Sequence, residues 1–254
     1  MSAAVTAIPR RGGRSLVVAP PLAQQVALVT GANRGLGLEV VRQLAATGMT
    51  VLLGARELAA GEKMAKLLRR DGGDVSAVKL DVTVQDDVDA VSSFIDRRYG
   101  RLDVLVNNAG SNYDVGNRPS SVAIDTVRAA LDTNLLGAWR LSEVLLPLMR
   151  RHGYGRVVNV SSGCGSTATA SEQCPAYRVS KAALNTYTRA LAAELAGSGI
   201  LVNAVCPGWV ATDMGGPGGR PVSEGAAGIV WAACLPEHVA TTGGFFRDRE
   251  RIAW

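Results

Sequence analysis

Short runs of wholly apolar residues alternate along this chain with longer stretches whose apolar positions recur every three or four residues. Val26 to Val29 is the first such run, and Leu36, Val40, Val41 and Leu44 follow it at helical spacing. Further strands are predicted at Val51–Leu53, Val75–Leu80, Leu102–Val106, Arg156–Val160, Ile200–Cys206 and near Gly243–Phe246. Helices are predicted over Leu58–Leu68, Gln85–Tyr99, a long segment ending near Arg151, Pro175–Leu195 and Ser223–Cys234. Strands that are apolar at every position are buried on both faces, as parallel strands between helical crossovers are. Right-handed crossovers then make the expected fold α/β: a single-domain doubly wound parallel sheet of about seven strands, with helices on both faces. Its ligand crevice lies at the carboxyl ends of the strands. No linker interrupts the pattern, so residues 25–254 are expected to form one domain behind a flexible basic tail at 1–24.

Composition changes this picture little. The chain has 254 residues, is 47% hydrophobic and carries a net charge of +5. Arg10, Arg11 and Arg14 lie in the acid-free first 24 residues, so the body carries only +2, too little for an electrostatic footprint on nucleic acid. No apolar run approaches the roughly 18 residues that span a membrane. The tail is too weakly apolar for a secretion signal; disorder is the plain reading, and an arginine-bearing transit peptide is the alternative. Cysteines 164, 174, 206 and 234 show no metal-ligand spacing, so reduced thiols in a cytoplasmic protein are expected. His152 and His238 stand alone, and no metal is expected.

The candidate chemistry falls at the predicted carboxyl ends. The first strand runs into a turn with glycines at 31, 35 and 37, which lets the backbone approach a ligand without a Cβ in the way. The following helix points its free N–H groups over that turn, which suits a pyrophosphate; a plain turn is the alternative. Arg56 ends the second strand, about 20 residues further on, where an adenosine ribose would lie. With Arg34 in the turn itself, two guanidinium groups aimed at one spot would bind a 2′-phosphate, favouring NADP over NAD. Against this, each arginine alone also reads as a solvated side chain, and Glu57 offers a carboxylate to a ribose. Asp81-Val82 ends the third strand and suits an adenine edge, and Asn107-Asn108-Ala109-Gly110 ends the fourth with residues small enough for a flat ring to pass. Strand five runs out into Ser161-Ser162-Gly163, and alternation sends the two serines to opposite faces. Tyr177 and Lys181 then share one face of a helix, a spacing that also occurs by chance.

In this order TGANRGLG, NNAG, Asn134, Ser162, YRVSK and Pro207-Gly208 resemble the short-chain dehydrogenase/reductase family over essentially all of residues 25–250. Within it, GAR, LDVLVNNAG, LLPLM, GRVVNVSS, NAVCPGWVATDM and RDRERIAW look like the carbonyl reductases that use NADPH. The resemblance implies a Rossmann-type fold and a catalytic set of Asn134, Ser162, Tyr177 and Lys181. Tyr177 would donate a proton to a carbonyl oxygen, its pKa pulled down toward working pH by Lys181. Ser162 would hold that oxygen, and Lys181 would also bond the nicotinamide ribose. Asn134, within a helix carrying Leu131, Leu135, Leu136 and Trp139, would hold a water that relays protons to Lys181; a polar residue on a solvent face is the alternative.

The implied NADP(H) contacts are Gly31, Asn33, Arg34, Gly35, Leu36, Gly37, Arg56, Asp81, Val82, Asn108, Ala109, Gly110, Tyr177, Lys181, Pro207, Gly208, Val210 and Thr212. Met214 to Gly219 reads as a mobile substrate lid. Animal carbonyl reductases carry a long insertion before the catalytic tyrosine, whereas fourteen residues separate Ser162 from Tyr177 here. Its absence implies a homodimer or homotetramer and removes part of the substrate wall. The function implied is hydride transfer from NADPH to a ketone, aldehyde or quinone, with no nucleic acid or membrane partner. An oxidative alcohol or hydroxysteroid dehydrogenase with the same site, or a non-catalytic NADP-sensing protein, are the alternatives. No GxSxG elbow marks Ser162 as a hydrolase nucleophile. Cys164 and Cys174 are read as loop packing, with substrate contact or oxidation as the alternative.

Overall fold

Along β1 (Val26–Val29) successive side chains leave opposite faces of the sheet. Val26 and Leu28 enter one apolar cluster, while Ala27 and Val29 enter the other. That division runs through the computed structural model, which describes residues 20–254 apart from 113, 170, 237, 238 and 240. Parallel to β1 run β2 (Thr50–Ala55), β3 (Val75–Lys79), β4 (Val104–Asn107), β5 (Gly155–Val160), β6 (Ile200–Val205) and β7 (Phe245–Arg247). A two-residue strand, β8 (Glu250–Arg251), adds antiparallel to β7. The order is β3-β2-β1-β4-β5-β6-β7-β8. The chain therefore leaves β1 toward β2 and returns to β4 on its other side, which opens a crevice between the two outgoing connections.

Two helical layers close the faces. Helices α1 (Gly35–Ala46), α2 (Leu58–Arg70) and α7 (Val222–Ala233) supply Val40, Val41, Leu44, Leu68 and Ile229 to one cluster. Helices α3 (Gln85–Tyr99), α5 (Gly137–His152) and α6 (Pro175–Glu194) supply Val88, Ile95, Leu141, Leu145, Leu184 and Leu191 to the other. The doubly wound α/β sheet expected from the apolar pattern is the observed fold. Among the described residues no helix is long and apolar enough to cross a membrane.

Three details differ from the expectation. The second strand continues through Gly54 to Ala55, because this glycine fills an in-strand place where a Cβ would stand 3.1 Å from the Val29 carbonyl oxygen. The long helix before Arg151 is three pieces: α4 (Ile124–Leu131), a π turn at Asp132–Leu136, and α5. The eighth strand follows a tight turn at Asp248 (φ 53°) and Arg249 (φ 69°), a left-handed pair with no glycine to announce it. Of the expected tail, residues 1–19 lie outside the described residues, as does His238. Leu22–Gln24 form one 3-10 turn, with the Ala23 side chain close to Gly48.

Candidate active site

The glycine turn is shaped by what it touches. Gly31 (φ 61°) and Gly35 (φ 55°) are left-handed, and a Cβ on Gly31 would lie 2.9 Å from the Ala109 Cα. A Cβ on Gly37 would lie 2.5 Å from the Asn108 side-chain nitrogen. That amide donates to the carbonyls of Thr30 (2.8 Å) and Gly31 (3.1 Å), while the Thr30 hydroxyl accepts from the N–H groups of Asn108 and Ala109 at 3.0 and 2.8 Å. Asn108 thus ties the end of β4 to the turn after β1 and holds the crevice floor open. Neither Thr30 nor this role for Asn108 was legible in the spacing of glycines.

Every residue in the expected catalytic and cofactor sets except Asn134 lines one open cavity of about 1280 Å³. At its β2 end stand Arg56 and Glu57, with Asp81 held in a tight turn by accepting from the N–H and hydroxyl of Thr83 at 2.9 and 2.7 Å. Arg34 and Arg56 share the cavity wall but are not joined at one point: Arg34 Nη1 pairs with Asp213 at 2.8 Å, both side chains largely exposed. This pair and the approach of Thr212 to Gly35 bring the segment after β6 over the glycine turn. The glycine-rich stretch that follows is pinned at its base. A backbone bridge joins Val210 to Arg220, and the Trp209 indole donates to the Gly215 carbonyl at 2.6 Å.

At the other end, β5 delivers two serines in opposite directions. The Ser161 hydroxyl is buried and donates to Asn185 at 2.6 Å, whereas Ser162 faces the cavity and its hydroxyl accepts from the Cys164 N–H at 3.1 Å. Ser162 also lies near enough to the Tyr177 hydroxyl to act on its titration. Gly165 sets this distance: a Cβ there would stand 2.7 Å from the backbone of Lys181, so the loop after Ser162 rests directly on α6. The Lys181 ammonium donates to the Val160 carbonyl at 2.8 Å and lies 5.7 Å from the centre of the Tyr177 ring. Asn134 sits behind this group in the π turn, almost wholly buried. Its side chain accepts from the Ser111 N–H (2.8 Å) and donates to the Ser111 carbonyl and Ser180 hydroxyl (both 2.9 Å). It is not on a solvent face, and its polar atoms are already engaged. The neighbours Leu136 and Trp139, expected to bury with it, are 40% and 48% exposed.

Burial governs the titration of the pair, against expectation. It pushes the Tyr177 hydroxyl up to about 12, with Ser162 acting in the opposite direction. Burial likewise pushes Lys181 down to about 8. Lys181 was expected to draw the phenol toward neutrality; removal from water sets the direction here.

A dinucleotide fits these residues. The turn has the glycines a pyrophosphate approach requires, Gly110 leaves room beside the ammonium, and Lys181 has one hydrogen-bond acceptor among the described residues for three donors. The cavity is also lined by Asn112, Val115, Cys164, Cys174, Trp209, Met214 and Arg247, of which Asn112 and Val115 carry no signal in the sequence. All four cysteines are free thiols.

The short chain dehydrogenase family model matches residues 25–220. Over 194 aligned residues the chain is 36% identical to a 3-oxoacyl-(acyl-carrier-protein) reductase of Synechocystis, covering 76% of this chain and 77% of that protein. It is 33% identical to NADPH carbonyl reductase 1 of Sus scrofa, covering 91% of this chain and 94% of the pig protein. The crystal structure of an NADPH-bound carbonyl reductase from chicken fatty liver superposes with a TM-score of 0.80 at 29% identity, over 91% of this chain and 99% of that one. The crevice, the glycine turn and the serine–tyrosine–lysine group therefore sit in an oxidoreductase fold. The chain belongs to the short-chain dehydrogenase family, whose members use nicotinamide cofactors.

One buried carboxylate anchors the helix that carries two of these groups. Cys174 precedes α6 with φ 51° and offers no cap, so Asp114, from a loop 62 residues away, accepts from the N–H groups of Ala176 (2.6 Å) and Tyr177 (3.3 Å). Replacing Asp114 with Ala removes the cap and leaves two donors unmet, at a cost of about 2 kcal/mol. Urea unfolding measures this; Asp114→Asn retains an acceptor and should lose less.

Proposed function

We propose that this protein is a carbonyl reductase that uses NADPH to reduce a ketone, aldehyde or quinone. The observation that carries the reading is that Ser162, Tyr177 and Lys181 line one cavity, with the Lys181 ammonium 5.7 Å from the centre of the Tyr177 ring. Gly110, Pro207 and Gly208 would hold the nicotinamide, which when bound would supply the hydride that a carbonyl carbon accepts. A carbonyl oxygen set between the two hydroxyls accepts from both, and these donors stabilise the negative charge that gathers there. Tyr177 then gives up its proton, because even a phenol shifted to about 12 is a stronger acid than an aliphatic alcohol. The phenolate left behind is stabilised by Lys181, which at about 8 is mostly charged at neutral pH. A tyrosine that holds its proton at neutral pH is in the state that reduction needs. The two remaining Lys181 donors suit ribose hydroxyls.

NADPH rather than NADH is supported by Arg56 at the β2 end, with Arg34 on the same wall. The fourteen residues between Ser162 and Tyr177 leave Leu136, Trp139 and Val179 exposed on the π turn, α5 and α6, with Trp139 stacked on Tyr187 at 4.4 Å. A second copy of the chain is the proposed partner for that face.

Three outcomes follow. Tyr177→Phe should lower NADPH-dependent reduction by roughly 100-fold or more while fluorescence titration finds NADPH binding nearly unchanged; retained turnover sinks the proton assignment. Arg56→Asp should cut the NADPH-over-NADH preference in kcat/KM by about tenfold or more, and an unaltered ratio places the 2′-phosphate elsewhere. Light scattering on the purified protein should give a dimer or tetramer that Trp139→Glu disperses, and a monomeric parent refutes self-association.

A further inference from the structure

Strand β7 ends in Arg247, beside Cys206 at the end of β6, because the register pairs Val205 with Phe246 one residue earlier. Its Nη2 donates to Cys206 Sγ at 3.2 Å. A Cβ on Gly163 would stand 2.5 Å from the same nitrogen, so the guanidinium lies against the residue that follows Ser162. With consecutive Cα atoms about 3.8 Å apart, it sits within about 8 Å of the Ser162 Cα, roughly the length of one aromatic ring with its substituent. Arg247 is exposed and lines the cavity.

Among the described residues its charge is met only at a distance, by the neighbouring Asp248. The adjacent Asp248 pairs with Arg220 at 2.6 Å, and Glu224 is turned to Arg220 as well at 3.4 Å. Among the described residues no carboxylate forms an ion pair with Arg247, and its one hydrogen-bond acceptor is a sulfur, a weak one. The cavity it lines also carries Val115, Cys164, Cys174, Trp209 and Met214, apolar or weakly polar groups, beside the neutral amide of Asn112. A cation on such a wall attracts an anion more strongly than it would in open water. That anion is not a cofactor phosphate group at Arg56, because β7 lies five strands from β2, about 24 Å at the usual strand spacing.

We infer that Arg247 binds a carboxylate carried by the substrate about one ring length from the reacting carbonyl, so that the protein selects oxo-acids over neutral ketones of the same shape. This rests on the carbonyl-reductase reading of the site and narrows its substrate class. The guanidinium offers a planar fork of donors to both carboxylate oxygens, with Cys206 fixing one edge.

The test compares 4-acetylbenzoate with methyl 4-acetylbenzoate, which share the reducible ketone and differ in charge, in the full chain with NADPH. The acid should be preferred in kcat/KM by about tenfold or more, and the preference should shrink as salt is raised. Arg247→Met should lower kcat/KM for the acid by about tenfold while the ester stays within about threefold, and Arg247→Lys should fall between. Equal turnover of acid and ester by the parent protein overturns the inference, as does a ratio that Arg247→Met leaves unchanged. If neither ketone is reduced, calorimetric titration of both compounds into the NADPH-mixed protein decides. Acid binding that Arg247→Met abolishes supports the subsite, and equal or no binding of both overturns it. Failure of the protein to reduce any carbonyl compound sinks the broader reading instead, and the binding result stays separate from it.

Discussion

A buried ammonium is the constraint on which the rest of this site depends. Lys181 is 4% exposed and hydrogen-bonded to the Val160 carbonyl alone among the described residues. Taking such a cation out of water costs several kcal/mol, and its lowered pKa is the same cost seen in protonation. The fold tolerates this because its neighbours withdraw their side chains. Gly165 lets the loop after Ser162 rest on the backbone at Lys181, and Gly110 leaves open space beside Nζ. What remains is a positive group with unmet donors at the bottom of a crevice, next to the hydroxyl-bearing ring it faces.

The groups gathered there come from four parts of the chain, and polar contacts hold those parts together more than apolar packing does. Asn134 links the π turn to Ser111 on the loop after β4 and to Ser180 on α6. Asp114, in that same loop, caps α6, and Asn185 on α6 engages both Ser161 and the Gly165 carbonyl at 2.6 and 3.2 Å. Such buried networks are favourable only when complete, since each unmet group costs more than its bond contributes. The result is a rigid frame in which the Ser162 and Tyr177 hydroxyls keep their spacing, as a site acting through two aimed donors requires.

What the amino-acid pattern revealed divides along the same line. The strands of the sheet interior are mostly apolar, so β1, β4 and β5 could be read to within two residues, and the crevice followed from their order. A pleated strand sends Ser161 and Ser162 to opposite faces, and the family resemblance picked the second. Contacts across the chain were not legible. Asp114 caps a helix from 62 residues away, and Asp213 reaches Arg34 across 179, so neither has a local signature. The direction of the Tyr177 shift was misjudged for a related reason: spacing shows that a lysine is near, whereas the depth of burial that outweighs it belongs to the folded molecule. The last strand was missed because Asp248 and Arg249 make a turn normally marked by glycine or asparagine.

The arginines around the crevice differ in how firmly each is held, and that difference bears on what each can recognise. Arg34 and Asp213 form an exposed pair, a kind worth about 0–1 kcal/mol, so a phosphate nearby can draw the guanidinium away at little cost. Arg220 is fixed between Asp248 and Glu224 and has little charge left to offer. Arg247 stands between these cases. It is positioned by Cys206 and Gly163, which set its direction, yet among the described residues no acid forms an ion pair with it. A side chain oriented by weak partners loses little when a carboxylate arrives, because no strong ion pair has to break first. The cavity is thus polarised along its length, with exchangeable positive charge at the β2 end and a preset one at the β7 end. Ser162 and Tyr177 lie between them.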